Sequence, residues 1–287
     1  MIFDPLREQL IKLATELQKE DIKLILGGGY GLLLRTEHIR RTEVVTRFKQ
    51  IPEARSTNDL DLFLSAEIIT SAKKTEKVRD AISELGFVPV AKYFQFELPA
   101  QYEGLKKPVK IDLLAAKPKT KENLEKVKIK KPRIRPHDAT EIHGFLTDEA
   151  VTLEEYLLPI EISENDKNLK IYLPHPFTSL VMKLFALRDR LDDEEKEFGA
   201  YHAFDIYRII AMMTEEEWNQ AVHLGSKYLE DLKIREAGEI VGRLFQEQES
   251  LGILRIRQHA LSANSSIFDE NLNKLIEDLR ELFKPES

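Results

Sequence analysis

The chain has 287 residues, a length that suits one large domain or two ordinary ones, and two are expected. A hydrophobic share of 42% and a charged share of 32% fit a soluble globular protein, and no apolar run approaches the ~20 residues of a membrane helix, so no membrane partner is expected. The absence of cysteine excludes disulfides, thiolate zinc sites and cysteine nucleophiles. With Asp4, Arg7, Glu8 and Lys12 interrupting any signal-peptide core, the cytoplasm is the expected location.

Asp4 and Pro5 form an N-cap and first-turn pair, and Leu6, Leu10, Leu13 and Leu17 follow at helical spacing. Ile22 to Leu26 reads as a short buried strand, ended by Gly27, Gly28 and Gly29 where the backbone turns sharply or approaches something closely. Tyr30 to Leu34 starts a helix, and Arg35 to Thr57 is polar and irregular. Leu60, Leu62 and Leu64 alternate with Asp59, Asp61 and Phe63 as a second strand. Glu67 to Leu85 reads as one helix with Gly86 at its C-terminal end. Phe87 to Leu98 reads as a strand at a sheet edge because of Pro89, and Val109 to Ala115 as another strand. Further strand material is expected around Glu141 to Leu146 and Lys170 to Leu173. From His175 the pattern is helical only, over roughly 175–190, 199–213, 215–230, 232–248 and 268–284, which places a domain boundary near residue 170.

Charge is unevenly spread. Between Lys117 and Arg135 seven Lys and two Arg face Glu122 and Glu125, a local balance of 9 − 2 = +7 in a chain of net charge −7, leaving −14 elsewhere. Pro118, Pro132 and Pro136 confine helix to the middle of this segment. It begins just after the strand carrying Asp112, so it is expected to leave the sheet near that acid, either as a solvated loop or as a surface for a polyanion.

Asp59 and Asp61 project from one strand face ~6 to 7 Å apart. Two carboxylates aimed at one spot repel unless a cation lies between them, and oxygen-only ligands suit Mg²⁺. Asp112, within Lys110-Ile111-Asp112-Leu113-Leu114, offers a third acid in an apolar strand. Three such carboxylates can hold the two metal ions of in-line phosphoryl transfer, and the glycine turn opening a helix suits phosphate binding. None of the seven histidines has metal-ligand spacing, and His175, between Pro174 and Pro176, reads as part of a domain-linking turn.

The run Leu26-Gly27-Gly28-Gly29 followed by Arg55-Ser56-Thr57-Asn58-Asp59-Leu60-Asp61-Leu62 resembles the signature of nucleotidyltransferases related to DNA polymerase β. Pro174-His175-Pro176, then Leu180 to Arg190 and Phe204-Asp205-Ile206-Tyr207, is similar to the helical half of AbiEii-type nucleotidyltransferases, toxins of type IV toxin–antitoxin and phage-defence systems. The likeness spans about residues 20 to 212. The interval from Gly28 to Asp59, 59 − 28 = 31 residues, implies an inserted loop or an extended helix in this chain.

This resemblance implies an α+β protein: a polymerase β-like domain with a mixed sheet and helices over 1–170, and an all-helical domain over 171–287 that completes the cleft for NTP and acceptor. It implies transfer of an NMP from an NTP to a hydroxyl of RNA, tRNA or protein, with Mg²⁺ held by Asp59, Asp61 and Asp112 and an antitoxin as candidate partner. Gly27, Gly28, Gly29, Arg55 and Ser56 would bind the nucleotide, although the Ser56 hydroxyl equally suits capping a turn. Lys183 would bind the triphosphate; read from the wheel alone, it sits at the edge of the apolar stripe with its stem snorkelling. Asp205 would support base, ribose or Lys183, or merely pair with Arg208 on an exposed helix face. Lys128, Lys130 and Lys131 are the candidate acceptor contacts.

Two other readings compete. One is a catalytically silent nucleotidyltransferase scaffold that binds a nucleotide or a partner protein. The other is a glycosyltransferase using Asp59 and Asp61 on a nucleotide sugar, which leaves the glycine turn and the helical half unexplained.

Overall fold

Asp4 begins the first helix as its spacing to Pro5 demands. Its carboxylate accepts from the backbone N–H groups of Leu6 and Arg7 at the start of α1 (Pro5–Lys19), satisfying amides that have no partner within the helix. The computed structural model describes residues 4–53, 57–91, 93–99, 108–139, 141–164, 167–263, 265 and 267–284. Within them the protein is α+β, with one mixed sheet and eleven α-helices. Arg55 and Ser56 lie outside the described residues.

The chain divides into two compact units. The first comprises Met1–Arg35, Arg55–Asp148 and Leu153–Pro174; the second comprises Thr36–Ala54, Glu149–Thr152 and His175–Ser287. The second is therefore drawn from three stretches of sequence.

In the first unit, β1 (Ile25–Leu26) runs into α2 (Gly28–Thr42), which belongs to this unit as far as Arg35, and the central strands are β2 (Asp59–Phe63) and β5 (Lys110–Ala115). The other strands are β3 (Val88–Ala91), β4 (Gln95–Glu97), β6 (Val127–Lys130), β7 (Arg133–Pro136), β8 (Gly144–Leu146), β9 (Leu158–Glu164) and β10 (Lys167–Leu173). Their order is β6-β7-β8-β5-β2-β1-β10-β9, with β4 also on β5 and β3 on β4. One edge of β5 thus serves two partners: Lys110 to Asp112 pair with β4, and Leu114 to Ala115 pair with β8. Leu60, Leu62, Ile111, Leu113 and Ile134 point into one core with Leu10, Leu13 and Leu17 of α1, the alternation of a sheet with one packed face.

Several local expectations change. Residues 35–42 continue α2, because nothing before Thr42 breaks it and Ile39 is buried. The helix expected over 67–85 is two, α3 (Ala66–Ile69) and α4 (Ala72–Glu84); Ser71 interrupts it and caps α4 by accepting from the Lys74 N–H. Gly86 has φ +85 just past α4, a conformation glycine adopts without strain. The strand expected over 87–98 is the hairpin β3–β4, turning at Tyr93. The basic segment is not a loop. After the short α5 (Lys121–Glu125) it forms the hairpin β6–β7 at one end of the sheet order.

The second unit contains α6 (Pro176–Arg188), α7 (Ala200–Ala211), α8 (Glu215–Lys227), α9 (Leu232–Leu244), α10 (Leu251–Ser262) and α11 (Asp269–Leu282). His175 is the N-cap of α6, its Nδ1 accepting from the Phe177 N–H at 3.1 Å. Thr214 and Glu217 form a reciprocal capping box on α8. Phe177, Leu180, Leu184, Ile206, Ile210, Ile253 and Leu275 are buried. Arg47 is ion-paired with Asp278 and stacks on Trp218, and its backbone N–H donates to the Met213 carbonyl, which ties the 36–54 segment to the helices of its unit.

Candidate active site

Neighbouring residues in register lie on the same sheet face, so pairing decides which acids meet. β2 and β5 are parallel, with Asp59 opposite Lys110 and Asp61 opposite Asp112. All three aspartates are half-buried, while the intervening leucines and Ile111 point to the core. Gln95 of β4 stands on the other side of Asp112, and its Nε2 donates to Asp112 Oδ1 at 2.7 Å.

Burial pushes the Asp112 carboxyl above the ordinary carboxylate range. The Gln95 hydrogen bond draws it down, the negative charge of Asp59 pushes it up again, and Lys110 draws it down. The folded pKa is the higher one, so ionised Asp112 opposes folding at neutral pH and protonation relieves this. Measured in EDTA, Asp112→Asn should therefore raise Tm at pH 7. The gain should shrink as pH falls and vanish well below 3.8, where the carboxyl is protonated in both states. A gain that is the same at every pH would contradict this origin.

The glycine turn closes directly over Asp61. The Gly27 N–H donates to the Asp61 carbonyl at 2.8 Å. Gly28 opens α2 at φ +62, and a Cβ there would stand 1.6 Å from Asp61 Oδ2. A Cβ at Gly27 would stand 2.6 Å from the Phe63 ring. Two of the three glycines are thus required by close approach, and Asp61 sits at the start of a helix whose N-terminal amides favour negative charge.

An oxygen-only donor set suits a hard divalent cation. The repulsion between Asp59 and Asp112 is one that such a cation relieves. Among the described residues, no group of three or more His, Asp or Glu side chains already stands in metal-holding geometry.

In the second unit, Lys183 and Asp205 are brought together, contrary to both simpler readings. Asp205 is fully buried rather than exposed, because α7 is buried on all sides from Ala203 to Ala211, its polar residues included. Lys183 does not snorkel: its Nζ donates to Asp205 Oδ2 at 2.7 Å. The expected contact between Asp205 and Arg208 is made at 3.4 Å, but in the core. Arg208 also donates to Thr36 Oγ1 at 3.0 Å and to the Pro52 carbonyl at 3.3 Å. The sequence gives Arg208 only as a surface partner of Asp205 and does not point to Gln95. An Arg between Tyr207 and Ile209 in an apolar helix is the signal for the first; Gln95, in a polar-apolar alternation with Phe96 and Glu97, gives little for the second.

The basic hairpin is separated from β5 by β8 alone in the sheet order. Lys128 and Lys130 are exposed on β6, whereas Lys131 is in the turn and pairs with Asp148 at 3.2 Å. Compared with models of protein families and with curated proteins, the chain matches none.

Proposed function

We propose that the protein is a metal-dependent nucleotidyltransferase of the polymerase β-like, AbiEii type, moving an NMP from an NTP to a hydroxyl acceptor. The observation that carries this reading is the register of β2 and β5, which sets Asp61 beside Asp112 under a glycine turn that opens α2. Asp59, Asp61 and Asp112 would hold Mg²⁺, which when bound supplies charge stabilisation for in-line phosphoryl transfer. Asp112, whose carboxylate burial makes more basic than an ordinary one, suits accepting the proton of the attacking hydroxyl. The new bond joins the acceptor oxygen to the α-phosphorus, and pyrophosphate leaves. The amides of Gly28 and Gly29 at the start of α2 suit the triphosphate, that of Gly27 being taken by the Asp61 carbonyl. The resemblance adds Lys183 as a triphosphate ligand, and the ion pair with Asp205 gives that acid the part of holding the ammonium. It also adds Arg55 and Ser56 as nucleotide contacts, RNA, tRNA or protein as acceptor, and an antitoxin as partner.

A silent scaffold is the second reading. It is favoured by the contacts Asp61 and Asp112 already make, with Gly28 and Gln95, and by the lack of a preformed trio of ligands among the described residues. Purified protein incubated with each α-³²P NTP and cell extract separates the two. Label should appear in RNA or protein with Mg²⁺ and disappear with EDTA. Nucleotide binding without label transfer would establish the scaffold instead.

A further inference from the structure

The register of the first unit extends the carboxylate face beyond the acids. Leu114, two residues from Asp112 on the same face of β5, is opposite Phe145 of β8. Phe145 is opposite Arg133 of β7, and Arg133 is opposite Lys130 of β6, with Arg135 opposite Lys128 one step further. One continuous surface therefore carries, in order, Asp61, Asp112, Phe145, Arg133 and Lys130. With strands ~4.8 Å apart and residues ~3.3 Å apart along them, Arg133 lies about 12 Å from Asp112.

The chemistry of this surface is specific. The opposite face of the hairpin is the one that packs, through Val127, Ile134 and Pro136. On the outer face the cations pair with one another across the ladder, Lys128 with Arg135 and Lys130 with Arg133, an arrangement that costs stability until an anion lies between them. The four cations and His143 line a concavity of about 170 Å³. Arg135 is taken up by the carbonyls of Pro136, His137 and Ala139, and Lys126 and Lys131 have carboxylate partners. Among the described residues Lys128, Lys130 and Arg133 have no ion pair. Beside them Phe145 is 39% exposed, propped by the Phe94 ring at 5.6 Å. Cations in a row with an open aromatic ring between them and the reactive acids match a single strand of nucleic acid, whose phosphates seek the first and whose bases stack on the second.

We infer that the outer face of the β6–β7 hairpin, together with Phe145, binds the backbone of single-stranded RNA and delivers it along the sheet face toward Asp112. The delivery rests on the nucleotidyltransferase reading; the binding does not. The test is anisotropy of a fluorescent single-stranded RNA oligonucleotide with the whole protein in EDTA and without NTP. Affinity should fall steeply with salt. Replacing Lys128, Lys130 and Arg133 with Gln should weaken binding at least tenfold and lower the log–log salt slope by about 2, at ~0.7 per phosphate contact. Phe145→Ala should weaken binding roughly tenfold, and Phe145→Tyr should restore it. All these side chains are exposed or part-exposed, and circular dichroism checks that the variants fold. Unchanged affinity and slope in the triple variant, or equal binding of an acidic polypeptide of the same charge, would overturn the inference. Binding as expected in a protein that transfers no label would leave this surface standing and remove the enzymatic reading.

Discussion

Asp61→Ala should lower kcat/KM for label transfer by about 10³-fold or more, a loss near 4 kcal/mol of transition-state stabilisation, with circular dichroism and Tm close to wild type. Asp61 is half-buried and shares its sheet face with two other acids, so its removal relieves repulsion and leaves the leucine core untouched. Gly28→Ala should lower activity nearly as far although it removes no functional group. The added methyl would occupy the position of Asp61 Oδ2 and must hold φ near +62, which costs about 1 kcal/mol on its own for a residue with a Cβ. The carboxylate must move, and a carboxylate displaced by about 1 Å loses orders of magnitude in rate. Steady-state kinetics on the two purified variants decides the matter: full activity in either reduces the glycine turn and Asp61 to architecture.

The largest stability effect is expected in the second unit. Asp205→Ala leaves Lys183 and Arg208 buried without their shared carboxylate. Removing one partner of a buried ion pair costs about 3 to 5 kcal/mol, here roughly 10 °C or more in Tm. Replacing the whole group with apolar residues of similar size, Lys183→Met with Asp205→Leu and Arg208→Met, should recover much of the loss, because no charge then remains to be desolvated. Calorimetry of the single and triple variants checks both halves. A single variant as stable as wild type would mean that water reaches the two cations.

The contrast between these regions shows what local pattern can and cannot convey. The alternation of Asp59, Leu60, Asp61 and Leu62 is enough to place two acids on one face, and Asp4-Pro5 is enough to start α1. That Asp112 stands opposite Asp61 is a matter of strand register, which no single strand encodes. Burial of Asp205 escapes a helical wheel because His202, Asp205 and Arg208 share one polar side of α7, which a wheel reads as exposed. Residues 35–42 look irregular for their polarity, yet polarity alone does not break a helix. The hairpin is written in the sequence beneath its charge: Val127-Lys128-Ile129-Lys130 and Arg133-Ile134-Arg135-Pro136 alternate strictly about Lys131-Pro132, a period of two that the run of cations masks.

The hairpin's charge also bears on how fast a polyanion arrives. Seen from afar the protein carries −7, and only at close range does the +7 of residues 117–135 stand apart from the −14 of the rest. The range at which one view replaces the other is the Debye length, ~30 Å at 0.01 M salt and ~8 Å at 0.15 M. In very dilute salt an approaching polyanion is repelled by the whole molecule before it meets the hairpin. At physiological ionic strength the distant acids are screened and the hairpin acts alone, and in strong salt it is screened in turn. The association rate constant therefore passes through a maximum at intermediate ionic strength, even as affinity falls throughout.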